Sequence, residues 1–212
     1  MGFRSLIAQQ LGLPTGFVGR MLLWLLNREN AGMNDLTLEQ LCLQPDDCIA
    51  EIGFGGGDLI AKMAATGQPS LIAGMDRSKT ALQVCQRRFR RLLEQGTVVL
   101  HLADAASLPY PAAQFHKVCA VNGLYFWPEA EPVFRECRRL LKPKGIFALC
   151  YNSKPFLMQS GLIQEGFNAY DVEEVETLMQ QAGFAEIETV SGSSTSDSEF
   201  FCTTGRAVKA QN

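Results

Sequence analysis

The chain has 212 residues, 47% of them apolar and 19% charged, with 19 Lys and Arg against 22 Asp and Glu and a formal net charge of -3. That length suits one large α/β domain with an appended helical segment, and the composition is that of an ordinary soluble globular protein, not of a basic nucleic-acid binder. The seven cysteines are scattered, with no Cys-x-x-Cys pair; they read as reduced thiols of a cytoplasmic protein, and with only His101 and His116 beside them no metal site is expected.

Residues 1–46 read as a helical cap segment and residues 47–212 as the main domain. The beginning of the chain lacks the order of basic flank, apolar run and small-residue cleavage site of a secretory signal. Apolar groups there recur at helical spacing, for example Phe17, Met21, Trp24 and Leu25. The run Met21-Leu22-Leu23-Trp24-Leu25-Leu26 falls far short of the roughly 18 residues of a membrane span, which leaves peripheral membrane contact open and stable insertion excluded.

From Asp47 to about Cys150, short β-rich runs alternate with helical periods, the pattern of βαβ units on a mostly parallel sheet. Strands are expected at Cys48 to Ile52, Leu71 to Met75, Val98 to Ala103, Val118 to Val121 and Ile146 to Cys150. Helices are expected from Asp58 to Thr66 with Gly67 as C-cap, from Ser78 to Gln95, and from Pro128 to Leu141. Asp171 with Glu174 forms a capping box that opens a helix stopping at Gly183. Ile187 to Val190 and Phe200 to Val208 flank the polar loop Ser191 to Glu199, and so short a connection makes them antiparallel. The expected fold is therefore α/β: a Rossmann-like, mostly parallel seven-stranded sheet with an antiparallel C-terminal hairpin strand and helices on both faces.

The loop Glu51-Ile52-Gly53-Phe54-Gly55-Gly56-Gly57-Asp58 joins the first strand to its helix, where backbone N–H groups without Cβ atoms around them admit a ligand. It fails the dinucleotide fingerprint, because the sixth position counted from Gly53 is Asp58 and not glycine. The run Glu-x-Gly-x-Gly-x-Gly resembles motif I of the class I S-adenosylmethionine-dependent methyltransferases, and the layout resembles their small single-domain branch of quinone- and phospholipid-type enzymes. Asp76 ends the second strand where doubly wound folds place an acid for ribose hydroxyls, followed by Arg77, with Ser78 free to cap the next helix. Ala103-Asp104-Ala105 resembles the family's third motif, which implies that Asp104 meets the adenine amino group and the Ala105 N–H a ring nitrogen. The resemblance thus implies S-adenosylmethionine as cofactor, held by Glu51, Gly53, Phe54, Gly55, Gly57, Asp76, Arg77, Asp104, Ala105 and Asn122.

Asn122-Gly123-Leu124-Tyr125-Phe126-Trp127-Pro128 closes the fourth strand at the sheet edge where such folds bind ligands, and the acceptor pocket is expected there. It is not the Asn/Asp-Pro-Pro-Tyr sequence with which related enzymes hold planar amides. Its aromatic residues either cover the substrate or simply pack in the core. Phe115-His116-Lys117-Val118 stands where the family often has Phe-Asp, and His116 is read as part of a solvated surface turn. Leu141-Lys142-Pro143-Lys144-Gly145 resembles the family's turn before the fifth strand, and Phe156 to Phe167 falls where substrate-binding insertions occur. Arg87, Arg88, Arg90, Arg91, Arg135, Arg138 and Arg139 alternate with Glu94, Glu131 and Glu136, so they read as solvated helix faces, with no nucleic acid as partner.

The resemblance implies in-line transfer of a methyl group to an oxygen, nitrogen or carbon nucleophile of a small organic or lipid-like acceptor. If that acceptor must lose a proton, the candidate bases are Tyr125, His101, Tyr151 and Tyr170. Two rival readings stand beside it: a non-catalytic cofactor-binding or interaction module, and a nicotinamide-dependent oxidoreductase.

Overall fold

The structure is a computed structural model that describes residues 10–163, 167–193 and 199–208. Helices α1 (Gly16–Glu29) and α2 (Ala31–Leu41) precede the sheet. Then follow β1 (Cys48–Ile52), α3 (Asp58–Ala65), β2 (Leu71–Asp76), α4 (Lys79–Arg88), α5 (Arg90–Glu94), β3 (Val98–Leu102) and β4 (Phe115–Val121). After a short 3-10 turn at Leu124–Phe126 come α6 (Ala130–Leu140), β5 (Leu141–Asn152), α7 (Lys154–Ser160), α8 (Val172–Gln181), β6 (Phe184–Ser193) and β7 (Glu199–Ala207).

The seven strands form one sheet in the order β3-β2-β1-β4-β5-β7-β6. The pairs among β1 to β5 are parallel, whereas β7 runs antiparallel to both β5 and β6. The chain leaves β1 for β2 on one side and returns to β4 on the other, so the direction of winding reverses between β1 and β4. That reversal opens a crevice at the carboxyl ends of the two strands. The glycine loop after β1 and the aromatic turn after β4 face each other across it.

Alternation along the strands divides the core between the two faces of the sheet. Ile49, Ile72, Cys119, Ala148 and Cys150 pack with Met33 and Leu41 of α2, Leu59, Ile60 and Met63 of α3, and Ala81 and Cys85 of α4. Ala50, Ala73, Val118, Phe147 and Leu149 pack with Val133, Phe134 and Cys137 of α6 and Val175 and Met179 of α8. The second half of the residues 1–46 segment is therefore part of a face layer: α2 lies against β4, β5 and β7. The capping box is present, with Glu174 N–H on Asp171 Oδ1 at 2.9 Å and Asp171 N–H on Glu174 Oε2 at 2.8 Å.

Three expectations need correction, and the exposure of α1 adds a detail. The helix expected over residues 78–95 is broken at Phe89, whose φ of -106° and ψ of 21° are not helical. The break lets the buried Phe89 ring reach under Gly57. β4 starts at Phe115, so His116 lies in a strand, where its Nδ1 accepts from Cys48 N–H at 2.9 Å and Nε2 sits 2.7 Å from Lys142 Nζ. On α1, Met21, Trp24 and Leu25 of the expected helical spacing are exposed, and the buried large side chain among those described is Leu23; the Phe17 side chain lies outside what is described. Strand β6 continues through Ser193, and the remainder of the expected polar loop, up to residue 198, lies outside the described residues.

Candidate active site

The crevice is a cavity of about 610 Å³. At one end it is bounded by the glycine loop, Glu51, Asp58, Asp76 and Asp104, and at the other by Tyr125, Phe126, Trp127, Phe156, Leu162 and Phe167. Asp76 shapes the loop directly: Oδ2 accepts from Gly55 N–H at 2.9 Å and Oδ1 from Ser78 N–H at 2.7 Å. Each carboxylate oxygen keeps a second lone pair for a hydroxyl. Burial pushes the Asp76 carboxyl above its ordinary value, while these two amides and Arg77 pull the other way.

Glu51 is 3% exposed, and its Oε2 has no hydrogen-bond partner among the described residues. Burial, then the negative charges of Asp76 and Asp58, push its pKa up to about 8. A buried unpartnered carboxyl oxygen is costly, and a ligand ammonium beside it would supply the missing donor. Gly53, with φ of 80°, has open space where a Cβ would stand, so its backbone can be approached closely. Both features fit a cofactor that carries an amino group and hydroxyls and no phosphate.

The remaining sequence-derived cofactor residues divide by position. Gly53, Phe54, Gly55, Arg77, Asp104, Ala105 and Asn122 line the cavity. Gly57 does not; a Cβ there would lie 2.6 Å from the Phe89 ring and 2.8 Å from Cys85 Sγ, so its role is packing. The Phe54 side chain is buried in the core against Gly74. The Arg77 guanidinium holds the Gly12 carbonyl, at 2.8 Å from Nη2 and 3.1 Å from Nε. Asp104 is exposed at the mouth, and its Oδ1 accepts from Ala106 N–H at 2.9 Å.

Of the candidate bases only Tyr125 borders the cavity. Its phenol is buried, accepts from Asn152 N–H and is pushed well above its ordinary pKa by that burial, which makes it an anchor for the loop and a poor proton acceptor. His101 lies off the cavity with Nε2 2.9 Å from Tyr110 Oη. Tyr151 is buried with its hydroxyl 2.9 Å from Thr203 Oγ1, and Tyr170 lines a separate surface groove with Glu173 and Glu174. All three are corrected by the same fact: they do not reach the crevice.

Sequence reasoning named Asn122 but missed the other asparagines joined to it or to the glycine loop. Asn27 Nδ2 donates to Gly56 O at 3.3 Å, Asn34 Nδ2 to Asp58 Oδ2 at 3.0 Å, and Asn122 Nδ2 to Asn30 Oδ1 at 2.6 Å. Asn152 Nδ2 in turn donates to Asn122 Oδ1 at 3.0 Å. The signal was available, since Asn27, Asn30 and Asn34 recur at spacings of three and four, a polar stripe on a helical face.

On the aromatic side, Asn168 ties the segment after α7 to the turn after β4, donating from Nδ2 to Trp127 O at 2.8 Å and from N to Tyr125 O at 3.3 Å. The Phe126 and Phe167 rings meet edge to face at 4.8 Å between centroids. Trp127 is 7% exposed and packs against Phe134. The wall is apolar.

Sheet order, glycine loop and a carboxylate at the end of each of the first two strands together define a Rossmann-like methyltransferase fold. Residues 50–149 match the family model described as a methyltransferase domain. It is 32% identical over 117 residues to 27-O-demethylrifamycin SV methyltransferase of Amycolatopsis mediterranei (strain S699), covering 55% of this chain and 43% of that one. It is also 32% identical over 132 residues to demethylmenaquinone methyltransferase of Symbiobacterium thermophilum, covering 62% and 51%. The chain thus matches about half the length of these two relatives. Among solved structures, geranyl diphosphate C-methyltransferase of Streptomyces coelicolor A3(2) superposes with a TM-score of 0.72 at 15% identity, over 84% of this chain and 79% of the other. No helix among the described residues is long and apolar enough to cross a membrane, and no cluster of three metal-ligating side chains is present among them.

Proposed function

We propose that the protein transfers a methyl group from S-adenosylmethionine to a small organic or lipid-like acceptor, by in-line attack of an oxygen, nitrogen or carbon nucleophile. The observation that carries this reading is a single cavity with carboxylates at one end and an aromatic, apolar wall at the other. When bound, S-adenosylmethionine supplies an electrophilic methyl on a sulfonium. Glu51 and Asp76 would hold the amino and hydroxyl groups, and Asp104 would receive the adenine amino group at the mouth. Tyr125, Phe126 and Phe167 give a flat apolar acceptor a fixed surface, and their packing excludes water from its reacting face. Among the described residues that line the cavity none is His or Lys, so alignment of the two reactants is the chain's main contribution, an effect that can lower a barrier by several kcal/mol.

The relatives support the apolar acceptor, since they include a demethylmenaquinone methyltransferase and a 2-phytyl-1,4-naphthoquinone methyltransferase. The test has two parts. Calorimetry with S-adenosylhomocysteine reads the cofactor half, and transfer of labelled methyl to a panel of reduced naphthoquinones, phenols and fatty acids reads the acceptor half. Product on an apolar panel member is expected. Binding of NADH in place of S-adenosylhomocysteine would overturn the reading, and tight S-adenosylhomocysteine binding without transfer to any panel member would favour the non-catalytic module.

A further inference from the structure

Helix α1 has two apolar faces. Its inner face, with Leu23, Leu26, Asn27 and Asn30 at its end, roofs the cavity. At 100° per residue, Val18, Met21, Trp24 and Leu25 fall on the opposite side, and they are 54%, 53%, 58% and 41% exposed. Four large apolar side chains grouped on one exposed helix face call for a partner, since scattered single residues would not.

Charge selects the partner. The first 29 residues contain Arg4, Arg20 and Arg28 against Glu29, whereas the rest of the chain carries 16 Lys and Arg against 21 Asp and Glu. Helix α1, with Arg20 and Arg28 against Glu29, thus carries a small net positive charge on an otherwise acidic protein. The Arg28 guanidinium carbon lies 5.2 Å from the centroid of the Trp24 ring, so the exposed face ends in an aromatic residue paired with a cation. Tryptophan and arginine in that arrangement suit the boundary between lipid headgroups and acyl chains, and the excess positive charge suits anionic lipid. A second copy docked symmetrically on the same face would bring like charges together.

We infer that the outer face of α1 docks on an anionic phospholipid surface, with Met21, Trp24 and Leu25 entering the headgroup region. The inference does not depend on methyl transfer, because vesicle binding is read without cofactor or acceptor.

The experiment is co-sedimentation of the full chain with vesicles of phosphatidylglycerol and phosphatidylcholine in equal parts, and with vesicles of phosphatidylcholine alone. The protein should bind the mixed vesicles at least fivefold more tightly than the neutral ones, with a shift of Trp24 fluorescence to shorter wavelength. The double variant Met21→Glu, Leu25→Glu alters only exposed positions and should lose at least tenfold in binding while keeping its circular dichroism. Trp24→Phe should retain most of the binding and remove the fluorescence shift. Failure of the native chain to bind the mixed vesicles would overturn the inference, as would equal binding by the double variant. A dimer in sedimentation velocity that the same double variant dissociates would overturn it too, by showing that a second copy covers the face.

Discussion

The carboxyl of Glu51 shows how one buried side chain couples stability to ligand. Its folded-state value of about 8 lies above the ordinary 4.5, so the proton is held at neutral pH. The stability contributed by that proton is whole below about pH 4.5 and lost as pH rises through about 8. Glu51→Gln removes the loss, and in urea unfolding its stability relative to the native chain should grow by a few kcal/mol between pH 5 and pH 9. A pH-independent difference would show that Glu51 does not titrate in that window. Under the methyltransferase reading, an ammonium placed beside Oε2 ionises Glu51, so S-adenosylhomocysteine binding at pH 7 should release up to about one proton. Calorimetry in buffers of different ionisation enthalpy measures the release, which Glu51→Gln should abolish. Asp76 adds a second measurable: Asp76→Ala should weaken S-adenosylhomocysteine by about 1–3 kcal/mol. Because Asp76 also holds the Gly55 and Ser78 amides, the empty protein should lose stability in the same variant, and an unchanged affinity would remove Asp76 from the site.

Among the elements, the glycine loop separates glycines by purpose. Gly57 has φ of 75° and no room for a Cβ beside Phe89 and Cys85. Gly57→Ala combines backbone strain with overpacking and should cost about 2–4 kcal/mol in urea unfolding. Gly53→Ala meets only the strain, about 1–2 kcal/mol, and should instead show its larger effect on S-adenosylhomocysteine affinity. Equal stability losses in the two variants would refute the distinction. This is also where legibility from sequence ends. Strand-and-helix alternation, the capping box at Asp171 and the glycine loop were readable because each is a local pattern with a local cause. The break at Phe89 was not, because α4 and α5 have unbroken helical spacing in sequence and the tertiary fit under Gly57 decides. The same limit misplaced His101, Tyr151 and Tyr170: sequence lists polar aromatic groups, but register and side-chain alternation decide which of them face the crevice. Periodicity likewise marked the apolar residues of α1 without saying which side meets the core.

Across the whole molecule, the site is closed by a segment that lies outside the sheet. Residues 10–15 cross the cavity as a strap: the Arg77 guanidinium holds Gly12 O, and Ser78 Oγ donates to Pro14 O at 2.8 Å. Further along, Asn27 and Asn30 fasten α1 and its end to the glycine loop and to Asn122. On the proposed function, opening of these contacts is expected to speed ligand entry and exit. Ser78 is a poor place to test this, because its Oγ also caps α4 by accepting from Ala81 N–H. Arg77→Ala removes the strap contact and leaves the sheet intact. Losing a hydrogen bond of about 1 kcal/mol from the closed state should speed S-adenosylhomocysteine dissociation by about fivefold. A strap also slows entry, so association should accelerate in the same variant, and amide exchange across residues 10–30 should quicken. A direct contact between Arg77 and the cofactor predicts something different: faster dissociation with unchanged association and unchanged exchange. Stopped-flow rates and exchange together therefore decide whether Arg77 acts on the ligand or on the strap that encloses it.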